Sequence, residues 1–346
     1  MPLNKIVLKN FTVFDKLELE LSEGINIFVG VNGKGKTHLM KVLYSACQAV
    51  DKRVSFAQKI VQCFLPDDHR ISRLVRRKQG NNDALIRITG NSTHSGEPKA
   101  IAAKFNIKTK KWDAEIIGED GWEKLFQDLT STFIPAKEIL SNAYNLNAAV
   151  EKNNVAFDDT YLDIVNSAKI DISVGKNTSS KRSMLSQIEQ IIDGKVFFNS
   201  QRDEFYLKHG NANLEFNLVA EGIRKIALIW QLVKNGTLEK GSVLFWDEPE
   251  ANINPIHIPI IVDMFLALQR NGVQIFIATH DYILAKYIEV KANKIDHIKF
   301  YSLFEDEGIV CCDTSSKFST LKHNSIVSAF DILLDEIYKR QVNGDE

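Results

Sequence analysis

A glycine-rich phosphate-binding loop near the amino terminus constrains this chain more than any other feature. Residues 30–37 read Gly-Val-Asn-Gly-Lys-Gly-Lys-Thr, a full match to G-x-x-x-x-G-K-[ST]. The apolar run 25–29 predicts a buried strand before the loop, and residues 38–44 predict a helix after it. Strand, loop and helix in this order are the context that the pattern requires. The alternative, a glycine turn with a chance Gly-Lys-Thr, is much weaker.

The loop assigns a chemical role to each of its residues. Glycines let the backbone wrap around phosphate oxygens, and the start of the helix offers unpaired amides and the positive end of its dipole. Lys36 is expected to reach the β- and γ-phosphates, and Thr37 to ligate Mg²⁺. The expected nucleotide contacts are Gly30, Asn32, Gly33, Lys34, Gly35, Lys36, Thr37 and His38.

Two later strand ends supply polar groups to the same site. Residues 243–250 read Val-Leu-Phe-Trp-Asp-Glu-Pro-Glu, which predicts a buried parallel strand with carboxylates at its carboxyl end. Ligands bind at that edge of an open α/β sheet. Asp247 is expected to hold Mg²⁺, and Glu248 to orient or deprotonate the attacking water. The alternative is a strand followed by a solvated acidic turn.

The strand predicted over residues 273–279 delivers His280 to this edge. There it can hydrogen-bond the γ-phosphate or the water, or simply cap the next helix. Between these landmarks, Gly222 stands at a predicted helix start, and Arg224 follows it. A glycine and a cation at a helix start suit an anion contact.

The order of these motifs resembles the ATP-binding-cassette class of P-loop ATPases and, more narrowly, its soluble SMC/RecF/OLD-like branch. The resemblance rests on the phosphate loop, the signature-like Ala220–Lys225, Asp247–Glu250, Thr279–Asp281 and the opening strands from Ile6. Residues 133–138 resemble a segment in the ATPases of bacterial anti-phage systems such as Septu and PARIS.

The resemblance implies a dimer in which two subunits sandwich two ATP molecules. Gly222 and Arg224 would then touch the γ-phosphate bound by the opposite subunit. The usual signature serine is missing, and Glu221 stands beside the anion instead. A glutamine that links the lobes is also expected, and Gln58, Gln62 and Gln79 all remain candidates.

The expected fold class is α/β, a P-loop NTPase of the ABC ATPase type, with a mixed sheet flanked by helices and an inserted α+β lobe. Lys36 and Asp247 lie 211 positions apart, more than a minimal domain needs. We predict one ATPase domain from residues 1–79 and 195–346. Residues 80–194 form the inserted lobe, with an antiparallel meander at 82–118 followed by helices.

Composition limits the remaining possibilities. The net charge of −1 does not indicate binding to nucleic acid or membrane by overall charge. No signal peptide and no membrane span are expected. The four cysteines (Cys47, Cys63, Cys311 and Cys312) include no C-x-x-C pair and are expected as free thiols in a cytoplasmic protein.

Three surface features can each be explained either by structure alone or by a further function. Residues 53–79 are predicted to be helical, with Arg70, Arg73 and Arg77 on one face that is either solvated or bound to nucleic acid. Glu305-Asp306-Glu307 is predicted to be a hairpin tip rather than a nuclease site. The amphipathic helix at 325–338 is predicted either to dock on its own core or to bind a second protein.

The sequence therefore predicts a cytoplasmic, Mg²⁺-dependent ATPase that works as a homo-oligomer, at least a dimer. Its expected output is control of a separate effector, such as a nuclease or toxin, in bacterial anti-phage defence. The alternatives are a RecF-like DNA repair ATPase, for which nucleic acid would be a partner, and a non-hydrolysing scaffold that holds ATP. The subunit of a membrane transporter fits less well.

Overall fold

The computed structural model describes residues 3–50, 53–77, 83–91, 98–152, 155–172 and 178–343. Its strands are β1 (Leu3–Phe11), β2 (Phe14–Glu20), β3 (Ile25–Gly30), β4 (Asp83–Asn91), β5 (Pro98–Asn106), β6 (Glu115–Ile117), β7 (Ser131–Ile134), β8 (Lys195–Asn199), β9 (Glu204–His209), β10 (Ala212–Glu215), β11 (Val243–Asp247), β12 (Gln274–Ala278), β13 (Ile298–Asp306) and β14 (Ile309–Ser315).

The helices are spread along the whole described chain. They are α1 (Lys36–Gln48), α2 (Phe56–Phe64), α3 (Glu119–Phe126), α4 (Leu146–Glu151), α5 (Asp159–Lys169), α6 (Ser179–Ile192), α7 (Glu221–Lys234), α8 (Ile258–Arg270), α9 (Tyr282–Lys291) and α10 (Ser325–Asn343). None of the helices within the described ranges is long and apolar enough to cross a membrane.

The central sheet carries the phosphate-binding loop. Within the described residues its strand order is β14-β13-β3-β12-β11-β7. Neighbouring strands from β13 to β7 are parallel, and β14 is an antiparallel edge strand. The carboxyl ends of β3, β11 and β12 therefore meet at one edge, as the three strand-end motifs require.

Both faces of this sheet are buried, and successive residues of its strands enter two different cores. Ile27, Leu244 and Ile277 face a core shared with α6, α7, α8 and α9. Phe28, Phe245 and Phe276 face a second core shared with α1, α2 and the antiparallel sheet. Their rings run across neighbouring strands, with Phe245 and Phe276 stacked 4.9 Å apart between centroids. This two-sided burial explains why the strands read as continuous apolar runs.

A second sheet, antiparallel throughout, has the order β2-β1-β4-β5-β6 in the described part of the chain. The predicted strands of the meander are confirmed in β4, β5 and β6. They do not form a sheet of their own, because β4 pairs with β1 from Leu3 to Lys9. β7 likewise joins the central sheet beside β11. The boundary at residues 79 and 80 lies outside the described residues, and the two-domain division stays a prediction.

The prediction of a long basic helix over residues 53–79 is wrong beyond Phe64. α2 ends there, Leu65 takes a left-handed conformation (φ 44°), and Pro66 follows without an N–H group. The next residues form two short 3-10 turns. Arg70, Arg73 and Arg77 therefore do not share a helical face.

The carboxyl-terminal helix α10 is confirmed, but its docking on the core is confined to its beginning. Ile326 and Val327 contact the core, and Phe330 stacks on Tyr282 with ring centroids 4.6 Å apart. The apolar side chains that follow are largely open to solvent: Ile332 61%, Leu333 50%, Leu334 50%, Ile337 45% and Tyr338 67% exposed. The alternative of docking on its own core therefore holds for the beginning of α10, and binding of a second protein stays a prediction for the exposed stretch.

Candidate functional site

The phosphate-binding loop joins β3 to α1 and is shaped by glycines where a side chain does not fit. Gly30 (φ 134°) and Gly35 (φ 89°) both take backbone conformations that favour glycine. A Cβ at Gly35 would collide with the Phe14 ring and with Val13 in the β1–β2 turn. One at Gly30 would collide with the backbone of Leu303 in β13. Close contacts with β13 and with the β1–β2 hairpin thus determine the shape of the loop, while its tip stays exposed.

Lys36 lies across this loop with its ammonium group turned inward. Its Nζ donates hydrogen bonds to the carbonyl oxygens of Gly30 (2.7 Å) and Val31 (3.2 Å). Burial lowers the pKa of Lys36 to about 8, although the carboxylates of Asp247 and Glu248 act in the opposite direction. A cation held by carbonyl groups that a ligand can replace is well placed to neutralise phosphate oxygens.

Thr37 and Asp247 meet at the predicted metal position. Thr37 Oγ1 donates a hydrogen bond of 2.8 Å to Asp247 Oδ2, bridging the start of α1 and the end of β11. Burial raises the pKa of Asp247 to about 6, the Thr37 hydrogen bond opposes this, and Glu248 adds to it. A hydroxyl and a carboxylate side by side are oxygen ligands of the kind that Mg²⁺ prefers.

Glu248 and His280 stand beside this pair. His280 Nε2 lies 3.6 Å from Glu248 Oε1, and both side chains are partly open to solvent. Glu248 has a left-handed backbone (φ 48°), uncommon outside glycine, while its N–H remains bonded to Ala278 O at 2.9 Å. Burial lowers the pKa of His280, and the Lys36 charge adds to this effect, which favours a neutral imidazole at pH 7.

The predicted loop and strand-end residues line one open cleft of about 370 Å³. Its walls are formed by Asn32, Gly33, Gly35, Lys36, Thr37, His38, Asp247, Glu248 and His280. Burial lowers the pKa of His38 to about 4, and its ring lies 5.3 Å from that of Phe64. Gly30 lies behind this cleft, and Lys34 turns away from it to pair with Glu305 on the β13–β14 hairpin.

The predicted signature residues lie outside this cleft, at the start of α7. Arg224 Nε is 2.8 Å from Glu138 Oε2, and its Nη1 donates to the carbonyl oxygens of Phe216 and Val219. Its guanidinium is therefore engaged within its own chain. Glu221 Oε1 accepts a 2.9 Å hydrogen bond from Asn252.

Gly222 also has a reason for being glycine within one chain. A Cβ there would fall well inside van der Waals contact with the Asn252 carbonyl oxygen and 3.1 Å from its carbonyl carbon. The start of α7 is thus packed directly against the backbone that follows β11. The contacts of Gly222, Glu221 and Arg224 with a second subunit stay predictions.

The sequence interpretation gave no role to three charged side chains that make contacts at or near the site. Glu250, visible in the Asp-Glu-Pro-Glu run, accepts hydrogen bonds at Oε1 from Thr279 Oγ1 (2.6 Å) and His280 N (3.1 Å), which ties β11 to β12. Glu305 was predicted only as part of a hairpin tip; it lies on that hairpin and also pairs with Lys34 of the phosphate loop. Lys225 is almost fully buried, and its only signal in the sequence was its place in the signature-like stretch Ala220–Lys225.

Several other sequence predictions are placed by the structure. Gln58 and Gln62 lie on α2, and Gln79 lies outside the described residues. All four cysteines are free thiols. The acidic hairpin is confirmed between β13 and β14. Among the described residues no group of three or more His, Cys, Asp or Glu side chains converges to hold a metal ion. A magnesium ion here would depend on phosphate oxygens as well as Thr37 and Asp247.

Comparison with known proteins places this site in a family. A family profile described as "AAA domain" matches residues 5–215, more than half of the chain. A second, described as "AAA domain, putative AbiEii toxin, Type IV TA system", matches residues 181–285. The first spans the phosphate loop, and the second spans Gly222, Asp247 and His280.

Among curated proteins, the chain is similar to the DNA replication and repair protein RecF. The match to RecF of Clostridium botulinum is 28% identical over 165 residues, 45% of this chain and 45% of the relative. That to RecF of Oenococcus oeni is 26% identical over 191 residues, 49% and 51% of the two chains. The chain spans about half the length of the curated relatives that it matches.

Solved structures of SMC heads share the fold. A crystal structure of the SmcHead bound to the C-winged helix domain of ScpA superposes with a TM-score of 0.59 at 11% identity, covering 90% of this chain and 97% of that one. The SMC head domain from Thermotoga maritima gives 0.52 at 12%, covering 90% and 98%. The AAA domain profile covers more than half of the chain, so the chain belongs to the AAA domain family; it is similar to RecF in sequence and shares the fold of SMC heads.

Proposed function

We propose that the protein binds Mg-ATP in the cleft and hydrolyses it, and that two subunits associate around the nucleotide to control a separate effector. One observation carries the hydrolytic part of this proposal. The Thr37–Asp247 pair, Glu248 and His280 come from three different elements and meet at one sheet edge beside Lys36. A pair of oxygen ligands, a carboxylate and an imidazole that line one cleft have the mutual geometry expected of a hydrolytic site.

The binding half of the reaction uses the loop and the cation. ATP phosphates would replace the Gly30 and Val31 carbonyl groups as partners of the Lys36 ammonium. Thr37 and Asp247 would hold Mg²⁺, which neutralises phosphate charge when bound. The Thr37–Asp247 hydrogen bond supports this assignment because it already holds the two oxygens together.

The hydrolytic half uses the groups beside the metal position. Glu248 would accept a proton from the attacking water, and its partly exposed carboxylate can reach a water in the cleft. His280 would hydrogen-bond the γ-phosphate or that water as a neutral imidazole. Glu250 would hold the backbone of His280 in place through the 3.1 Å hydrogen bond to its N–H.

The dimer is proposed from the family resemblance and from the position of α7. The described part of one chain gives the cleft no contact from Gly222 or Arg224, which leaves room for those of a second subunit. To reach a partner's phosphate, Arg224 would exchange Glu138 for the anion. ATP would then favour association because each nucleotide completes contacts with both subunits.

Control of an effector in bacterial anti-phage defence, by a cytoplasmic protein, is the finer part of the proposal. A family profile whose description names a toxin of a toxin–antitoxin system supports it. The exposed apolar residues of α10 offer a surface for a partner protein, since contiguous exposed apolar groups mark interaction sites.

Glu248→Gln provides the test. Light scattering with and without Mg-ATP measures association, and phosphate release measures turnover. We expect the variant to bind ATP, to lose turnover by on the order of a hundredfold or more and to gain mass with ATP. Glu307→Gln, an exposed glutamate at the hairpin tip, is the matched control. Intact turnover and unchanged mass in Glu248→Gln would instead indicate a scaffold that holds ATP without hydrolysis.

A RecF-like ATPase acting on DNA is the second candidate, favoured by the curated relatives and by one surface. A cleft of about 890 Å³ on the 3-10 turns and the β5–β6 loop is lined by Arg70, Lys108, Lys110, Lys111 and the partly exposed Trp112, with Asp68 and Asp113. Lysines interleaved with an exposed aromatic ring suit nucleic acid. ATP turnover that rises with DNA and loses that rise in Lys110→Ala/Lys111→Ala would establish this function.

A further inference from the structure

A buried lysine of α7 is hydrogen-bonded to the turn that carries Glu248. Residues 248–253, here named the acidic turn, follow β11 directly. The turn closes on itself through hydrogen bonds from Ala251 N to Glu248 O (3.1 Å) and from Ile253 N to Glu250 O (3.0 Å). Its shape therefore determines where the Glu248 side chain stands.

Lys225 reaches this turn from α7. Its side chain is 1% exposed, and its Nζ donates a 3.0 Å hydrogen bond to the carbonyl oxygen of Ala251. The carboxylates of Glu221, Glu250, Glu248 and Glu138 all lie near enough to favour its charge. Burial nevertheless lowers the pKa of Lys225. A buried amine is costly, so its retention needs a reason.

Two further contacts bring α7 and the acidic turn together. The Cα of Gly222 packs against the Asn252 carbonyl group, and Asn252 Nδ2 donates to Glu221 Oε1. Lys225 donates to Ala251, whose own N–H is bonded back to Glu248. Lys225 is thus linked to Glu248, the proposed base, through one intervening residue, Ala251.

We propose that Lys225 is a positioning residue that holds the acidic turn against α7 and thereby places the Glu248 carboxylate where it can accept a proton from the attacking water. This inference rests on the proposed hydrolytic role of Glu248. Without the ammonium group, the Ala251 carbonyl loses its partner, and the turn relaxes around a Glu248 backbone that is already in a disfavoured conformation. Misplacement of a catalytic group by about 1 Å is enough to cost on the order of a hundredfold in rate.

A simple core role would predict something different. If Lys225 only filled space, a methionine of similar length would restore its packing and leave turnover unchanged. A positioning role instead predicts that loss of Lys225 impairs catalysis but not ATP binding. The phosphate loop makes the binding contacts from β3 and α1, so the KM for Mg-ATP stays near that of the wild type while kcat falls.

Lys225→Met is the test, with Lys234→Met as the matched control on the same helix; no ion pair of Lys234 is found within the described chain. Steady-state phosphate release gives kcat and KM, and hydrogen exchange followed by mass spectrometry reports on the acidic turn without nucleotide. We expect kcat to fall about ten- to a hundredfold, with KM within about twofold, and the Ala251 and Ile253 amides to exchange faster. Lys234→Met should match the wild type in both measurements.

Wild-type kcat in Lys225→Met, or unchanged exchange in the acidic turn, would overturn the inference. If Lys225→Met does not fold, Lys225→Gln, which keeps a shorter donor, is measured in the same way. A wild-type protein that hydrolyses no ATP, or a Glu248→Gln variant with full turnover, would instead overturn the proposed function. The two failures are therefore distinguishable.

Discussion

Replacement of Gly222 by alanine tests why the signature position carries a glycine. Family resemblance explains the glycine by close approach of a partner's phosphate, whereas the structure also requires it within one chain. A Cβ at Gly222 would meet the Asn252 carbonyl group inside contact distance and would lie 3.2 Å from the Cα of Ile253. Both neighbours are backbone, so no side chain can swing aside.

The magnitude follows from two opposing effects. Glycine to alanine in a helix without a clash stabilises by about 0.5–1 kcal/mol. Overpacking against a fixed neighbour costs about 1–3 kcal/mol. We therefore expect Gly222→Ala to lower the free energy of unfolding by about 1–2 kcal/mol, which corresponds to a fall in Tm of roughly 2–4 °C.

Gly121→Ala is the matched control. Gly121 lies in the first turn of α3, and a Cβ there would meet nothing within 4 Å. We expect this variant to be as stable as the wild type or slightly more so. Thermal unfolding without nucleotide, followed by circular dichroism, compares the three proteins. A Gly222→Ala variant at least as stable as Gly121→Ala would refute the packing argument and leave the partner's anion as the explanation.

Three further predictions concern charged groups. The pKa of Lys36 is about 8 in the free protein. Affinity for Mg-free ATP should therefore be highest below that pH and fall as the pH rises above it. Titration with a fluorescent ATP analogue measures this affinity, and its pH dependence should be lost in Lys36→Met. Asp247→Asn keeps an acceptor for Thr37 but loses the charge, so the Mg²⁺ concentration that half-saturates turnover should rise on the order of tenfold or more. Lys59 Nζ bridges Asp159 (2.7 Å) and Asp163 (2.6 Å) while 5% exposed. Lys59→Met should therefore cost about 3 kcal/mol in urea unfolding at pH 7 and less at low pH, because burial raises the pKa of Asp159 and its carboxyl group takes up a proton there. An unchanged midpoint would show that the network contributes no stability.

The part of the candidate site that one subunit supplies could be predicted from the sequence, because each of its motifs is contained in a short stretch of chain. The loop motif includes its own strand and helix, and Asp247 and His280 each follow a short apolar run whose length favours a buried strand. Parallel strands then bring the three ends to one edge without further information.

The pairing of β4 with β1 was not readable, because alternation identifies a strand and not its partner. β1 is satisfied on one side by its hairpin with β2, and nothing in residues 83–91 shows that its other side takes β4. Such partners depend on the whole fold rather than on local pattern.

The prediction of a helix over the basic residues 53–79 was wrong beyond Phe64 for the same reason. Its composition suits a helix, but Ile71 and Val75 are buried, and Val75 forms an isolated bridge with Phe11. Tertiary contacts determine the backbone here and override propensity. Lys225 was overlooked because its importance comes from burial against Ala251, which spacing alone does not reveal.

The neighbours of β3 in the central sheet have a consequence for how the protein is made. β3 is hydrogen-bonded to β12 and β13, and Ile25 pairs with Ile275 and Ile298. A ribosome adds about 5–20 residues per second, so β3 leaves it roughly 12–50 seconds before its first partner strand. During that interval an apolar strand and an anion-binding loop are present with no sheet to hold them. The nascent chain therefore gains its nucleotide site late in synthesis, once β12 and β13 can pair with β3.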